Sequence, residues 1–234
     1  MAFIKMNGIL DDEYNSCTMY VTKEAIMDSQ GNTLRQRLHA AAAEAMLDSA
    51  ERAMLKHGFQ KATMQQIATE AGCAPGTFYL YFKNKQELFE VILARHMGVL
   101  LLRVLAELAK ADAVLAKIRL LVQEVVRYSL ENVGFFQIML TVMPQRYSAL
   151  DDHLRRIGQE KHAELYELMR QLLIEAQRQG LLRDDLPAST LHEFVEFVTF
   201  NFVEQYANTP GTQSVEDRMS VLWKLLTGGL GARE

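Results

Sequence analysis

Two cysteines in 234 residues, Cys17 and Cys73, are too few and too far apart for a disulfide framework or a cysteine-based metal site. No run approaches the roughly 18 to 20 apolar residues that a bilayer crossing requires. The opening MAFIKMNGILDDEY turns acidic where a secretory leader needs an apolar centre, so a cytoplasmic protein with no membrane partner is the expectation. Glycine patterns that cradle phosphates or dinucleotides are missing. So are the His-Glu-x-x-His zinc signature and the Glu-x-x-His pairs of helical di-iron sites. Asp151, Asp152 and His153 cluster, but at a helix start, where acidic residues serve the helix dipole. No catalytic residue, cofactor or metal is expected, and an all-α enzyme is the remote alternative.

Proline is scarce too. The four, Pro75, Pro144, Pro187 and Pro210, fall at the ends of long helical patterns, as in a helical protein. Hydrophobic residues make up 49% and charged residues 23%, enough for a substantial core. The 12 methionines suit a helical core that tolerates varied shapes, or serve as plain core filling. The net charge of -4 is unevenly spread: residues 35–95 hold eight Lys/Arg against six Asp/Glu, whereas the segments before and after are each at -3.

What is present is a succession of helices. EAMLDSAERAMLKH (44–57) places Leu47, Ala50, Met54 and Leu55 on one face, and Gly58 stops it. Thr63 opens TMQQIATEAG with a capping box whose partner is Gln66, and Gly72 closes it. Pro75 starts a short helix over 75–81, and Asn84 with Glu87 launches a long one to about Leu108. Further helices are expected over 113–131, 134–143, 148–179, 188–207 and 215–228, broken at Asn132-Val-Gly134, Met143-Pro144, Gly180 and Thr209-Pro210-Gly211. HEFVEFVTFNFVEQY also suits a strand, but Leu191, Phe194, Val195, Val198 and Phe202 form a helical stripe. Among the first 34 residues, Asn7-Gly8 suits a hairpin turn and Thr22 a cap. Arg35 and Arg37 read as a basic arm for a minor groove or as part of a solvated or partner-packed extension.

Helix 63–71, a turn at Gly72-Cys73-Ala74 and helix 75–81 make a helix-turn-helix whose second helix is short enough to enter a major groove end-on. Thr63 and Thr77 offer hydroxyls, Tyr79 and Tyr81 phenols, and Lys85 a point charge, while the N-termini of both helices offer N–H groups to anions. Phe78 and Phe82 read as core of the small domain. For Tyr79 and Tyr81, core packing is the alternative to DNA contact.

GCAPGTFYLYFKNKQEL, preceded by TMQQIATEAG, resembles the DNA-binding domain of the TetR (tetracycline-repressor-like) family over about residues 40–100. The matching positions are Ile67, Ala68, Ala71, Gly72, Gly76, Thr77, Tyr79, Tyr81, Phe82, Asn84, Lys85 and Leu88. The resemblance implies an all-α fold, an N-terminal three-helix helix-turn-helix domain joined to a larger helical ligand-binding and dimerisation domain. Its segments are an extension (1–39), the DNA-binding domain (40–100, motif 63–82) and the ligand-binding and dimerisation domain (101–234). It implies a homodimer on a palindromic double-stranded DNA operator, released by a small hydrophobic effector. A protein-gated regulator or an activator of the same fold is the alternative.

The expected DNA-binding set is Thr63, Gln65, Ala74, Pro75, Gly76, Thr77, Tyr79, Leu80, Tyr81 and Lys85. The chain departs from the family pattern at Cys73 for Val, and at Ala74, which replaces a Ser cap worth about 1 kcal/mol. Ala74, Pro75 and Leu80 leave few hydrogen-bonding readers, so thymine-methyl contacts and DNA shape are expected to carry specificity. By family analogy, Tyr128, Phe135, Phe136, Met139, Met143, His162, Tyr166 and Met169 line the effector cavity, with plain core as the alternative at each. GLLRDDLP resembles the family's approach to its last two helices, where Phe200, Phe202 and Trp223 are candidates for the dimer interface.

Overall fold

The computed structural model describes residues 34–142, 152–208 and 215–230. The Asn7-Gly8 turn, the Thr22 cap, Asp151 and the breaks at Met143-Pro144 and Thr209-Pro210-Gly211 lie outside the described residues. Those residues form only helices: α1 (Leu34–His57), α2 (Met64–Glu70), α3 (Pro75–Tyr79), α4 (Lys85–Leu108), α5 (Val114–Glu131), α6 (Val133–Val142), α7 (Asp152–Arg178), α8 (Ala188–Asn208) and α9 (Val215–Leu230). The chain divides into two compact units, Met1–Gly98 and Val99–Glu234.

In the first unit the sequence explains each boundary but one. Gly58 sits at φ 79° and ends α1, whose last turn carries Lys56 and His57, cations suited to the negative end of the helix dipole. Gly72, at φ 69°, ends α2. There Gly72 N donates to Thr69 O and Cys73 N to Ala68 O, the paired bonds of a Schellman turn that satisfy the last carbonyls. Asn84 caps α4 by accepting from Glu87 N, and Glu87 reaches back to Lys83 N, one residue earlier than the cap itself. The exception is α1, which is already helical at Leu34, where the described residues begin, ten residues before the apolar periodicity becomes visible and inside the segment read as an extension. Ala40 to Ala43, half-buried apart from Ala41, favour helix by propensity.

The core of this unit is small and apolar. Its buried side chains include Leu47, Ala50, Ala53 and Met54 of α1, Ile67 and Ala68 of α2, Phe78 of α3, Phe82, and Leu88, Phe89, Ile92 and Leu93 of α4. Leu55, expected on the buried face, is exposed. Arg95 staples α4 to α1 by donating to Glu44, Asp48 and Glu51, at 2.7–3.1 Å. Burial alone would raise the Glu51 pKa, but His96 at 3.0 Å and Arg95 outweigh it and hold the carboxyl below its ordinary range.

In the second unit α5, α7 and α8 pack against one another, with α6 on α5 and α9 on α8. Their buried residues recur at helical spacing: Leu165, Met169, Leu173 and Ala176 on α7, and Leu191, Val195, Thr199 and Val203 on α8. The helical stripe thus prevails over the β-propensity of the 192–206 segment. Gly180, at φ 69°, closes α7 with a second Schellman turn, in which Gly180 N meets Gln177 O and Leu181 N meets Ala176 O. Gln177 then ties the connection to α8 by donating to the carbonyls of Arg183 and Leu186.

Candidate nucleic-acid interface

The outward face of the first unit is set by how α2 and α3 are anchored. Thr63 has extended backbone, its hydroxyl accepts from Gln66 N, and Gln66 Oε1 accepts from Thr63 N at 3.0 Å. The capping box read from the sequence is therefore formed. The Thr63 hydroxyl also donates to Gln66 Oε1, so this exposed group already serves its own helix. Gln65, one residue into α2, is exposed.

α3 has no side-chain cap. Ala74 occupies the N-cap position at φ -64°, ψ 139°, and Pro75 fixes the first helical residue. The helix is held from below by Phe78, 1% exposed, whose ring lies 5.3 Å from that of Phe82. With Phe78 turned in, Ala74, Gly76, Thr77, Tyr79 and Leu80 face solvent, and Pro75 is half-buried. Leu80 is 84% exposed, an apolar side chain with no core to enter.

Gly76 is informative because the fold does not require it. Its φ is not positive, and a Cβ built there meets nothing within 4 Å. A helical glycine costs roughly 0.5–1 kcal/mol relative to alanine, a cost that neither backbone conformation nor packing within the unit calls for.

One expected contact is placed differently from the sequence reading. Lys85 does not present its ammonium to solvent. The amine donates to Phe59 O at 2.7 Å, Gln60 O at 3.0 Å and Ala62 O at 3.0 Å, and lies over the Phe59 ring. All three N–H groups are engaged in holding the α1–α2 connection, and burial pushes the ammonium below the ordinary lysine range. Tyr81 is half-buried and stacks on the His39 ring of α1 at 4.5 Å. Of the two lysines in FKNK, Lys83 is the exposed one and Lys85 the one engaged by the fold. Nothing in local spacing distinguishes them, because the carbonyls that capture Lys85 lie 23 to 26 residues away.

The acidic residues around this face are also engaged. Glu44, Asp48 and Glu51 surround Arg95, Glu70 is held by His57 at 2.7 Å and Lys56 at 3.3 Å, and Glu87 caps α4.

The residues expected around an effector scatter between core and half-buried positions. Tyr128, Phe135 and Met169 are buried; Phe136, Met139 and Tyr166 are half-buried. Phe136 packs on Phe200 at 5.4 Å, and Tyr166 meets His192 edge-on at 4.2 Å. Met143 and the His162 side chain lie outside the described residues. The expected dimer residues Phe200, Phe202 and Trp223 are half-buried, Trp223 under the Arg119 guanidinium. The large apolar side chains that α8 and α9 leave exposed are Phe194 (43%), Phe197 (60%) and Val221 (55%). The sequence also gave no sign of the ionic cluster in which buried Glu124 accepts from Arg103 and Arg127, while Arg103 also holds Glu131.

No helix is long and apolar enough to cross a membrane, and no cluster of metal-ligating side chains occurs among the described residues. Residues 46–92 match the model of bacterial regulatory proteins of the tetR family. The HTH-type transcriptional repressor AcnR of Corynebacterium efficiens is 23% identical over 177 residues, which span 76% of this chain and 88% of that protein. Among solved structures, the fatty acid degradation regulator FadR from Bacillus halodurans aligns with a TM-score of 0.71 at 22% identity, over 87% of this chain and 100% of that one. The transcriptional regulator FadR from Bacillus subtilis, in complex with stearoyl-CoA, aligns with a TM-score of 0.69 at 20% identity, over 80% and 98%.

Proposed function

We infer that this chain, a member of the tetR family of bacterial regulatory proteins, is a DNA-binding transcriptional repressor, released from a palindromic operator by a small hydrophobic effector. The observation that carries the reading is α3: Phe78 is driven into the core, while Gly76, Thr77, Tyr79 and Leu80 stand outside it. Thr77 and Tyr79 are suited to phosphate oxygens, and Ala74, Pro75 and Leu80 to thymine methyls. Lys83 supplies the charge first sought at Lys85. A regulator working through such contacts, rather than an enzyme, acts where the DNA is, in the cytoplasm.

A five-residue helix makes few contacts, so two copies spaced about 34–36 Å apart are needed to read successive major grooves. Phe194, Phe197 and Val221 supply an apolar surface for pairing on α8 and α9. A fatty-acyl thioester is the favoured effector class, because a structurally similar regulator was solved with stearoyl-CoA and the second unit is rich in buried apolar and aromatic side chains. An effector that binds better to the form with a different half-site spacing releases DNA by shifting populations.

Duplexes selected from a random pool by the purified protein, followed by fluorescence anisotropy with and without long-chain acyl-CoA, test the reading. A palindromic duplex bound by a dimer and released by acyl-CoA is the expected result. Failure to retain any duplex at low ionic strength overturns the repressor, and a complex indifferent to every acyl-CoA chain length overturns the effector class. Phe197→Glu should convert the dimer to monomer in analytical ultracentrifugation.

A further inference from the structure

From Arg37 to Ala45, α1 contributes little to the core. Arg37, Leu38, His39 and Ala41 are exposed, Leu38 to 62%, and the first buried apolar side chain in the described stretch is Met46. Yet from these turns the His39 ring reaches Tyr81, 42 residues away, and stacks on it at 4.5 Å with the planes 28° apart.

Tyr81 needs such support. It lies beyond the end of α3 at Tyr79, in the connection to α4, where its backbone N donates to Phe78 O. On its inner side the nearest ring is Phe82 at 6.3 Å, and Phe82 in turn packs on Phe78. The four rings run from the exposed start of α1 to the core beneath α3, with Tyr81 between His39 and Phe82.

We propose that His39 is a positioning residue for DNA binding: stacked on Tyr81, it holds the phenol in the orientation that meets the DNA backbone. The proposal rests on the reading of α2, the turn and α3 as the DNA-binding face. An unsupported tyrosine in a connecting segment must give up its rotational freedom when it contacts a phosphate, whereas a ring already stacked has lost most of it. The loss of the stack should weaken each half-site about three- to tenfold, and a dimer on its operator by about the square of that.

The test compares H39A, H39F, Y81A and the double variant H39A/Y81A by fluorescence anisotropy, on a palindromic duplex that the wild-type protein selects from a random pool. His39 is exposed and alanine favours helix, so the circular-dichroism melt of H39A should match wild type. H39A should bind more weakly by the stated factor, H39F should bind within about twofold of wild type because it keeps a planar ring, and H39A should add nothing in the Y81A background. The proposal is overturned by an H39A protein of wild-type affinity, or by losses that simply add. It is equally overturned if H39F is as weak as H39A and shows a shallower salt dependence, since the imidazole would then touch phosphate directly. A wild-type protein that selects no duplex fails the DNA-binding reading itself, a result distinct from any of these.

Discussion

Both units bury a few polar side chains, Ser49 and His96 in the first and Glu124, His192 and Thr199 in the second, but they place charge differently. In the first, the core beneath α3 is almost purely apolar, and polar groups are committed at helix ends: Thr63 with Gln66, Asn84 with Glu87, and Lys85 on three carbonyls. In the second, a carboxylate goes inside. Glu124 is 2% exposed between Arg103 and Arg127, and the Thr199 hydroxyl is buried with no hydrogen-bond partner among the described residues. A DNA-binding unit is defined by what its small core leaves outside. In the second unit, costly polar burial ties stability to particular partners.

That contrast can be broken most directly at Phe78. Removing the ring beneath α3 in Phe78→Ala should cost about 3–5 kcal/mol, enough to unfold the first unit and abolish duplex binding. If the units differ as described, urea unfolding followed by circular dichroism should show the second unit's transition retained in the variant and the first unit's lost. A variant that has lost both transitions would erase the distinction.

The second unit should fail through charge instead. Arg103→Ala leaves buried Glu124 paired with Arg127 among the described residues, at a cost of about 3 kcal/mol. Adding Glu124→Gln should recover part of that loss in the same urea experiment, because a neutral amide is cheaper to bury than a carboxylate. A double variant no more stable than the single one would show that Arg103 acts by packing rather than by charge.

The smallest stability effect sharpens the comparison most, because stability and binding should move in opposite directions. Gly76→Ala fills open space on a helix and should stabilise the first unit by up to about 1 kcal/mol. The added methyl stands where DNA is read to approach, so affinity for the selected duplex should fall at least tenfold. Equal or stronger binding would remove Gly76 from the interface.

The legibility of the molecule follows the range of its interactions. The capping box at Thr63, the glycine stops at 58, 72 and 180 and the inward turn of Phe78 and Phe82 were all readable, because each depends on neighbours within a few positions or on helical periodicity. The helix before residue 44 was missed for the complementary reason: from Arg37 to Ala45 no side chain is buried, so no periodicity is displayed. At the candidate interface, the exposure of Thr77, Tyr79 and Leu80 followed from the position of Phe78, but the tasks of Tyr81 and Lys85 did not. The stripe on α8 identified a helix correctly, without revealing that Phe194 and Phe197 would remain outside.

The sequence alone determined an all-helical chain, the places where most of its helices start and stop, and a short helix presented between two fixed turns. These are local matters, decided by backbone groups that find partners within about four residues. Tertiary structure decided which lysine folding would consume, which tyrosine would be stacked, and which carboxylate would be buried. Those outcomes depend on groups that only chain folding brings together: the carbonyls over Lys85, the His39 ring beside Tyr81 and the Arg103 guanidinium beside Glu124. A side chain's role is set by its nearest neighbours in space, and here those neighbours lie 21 to 42 residues away along the chain.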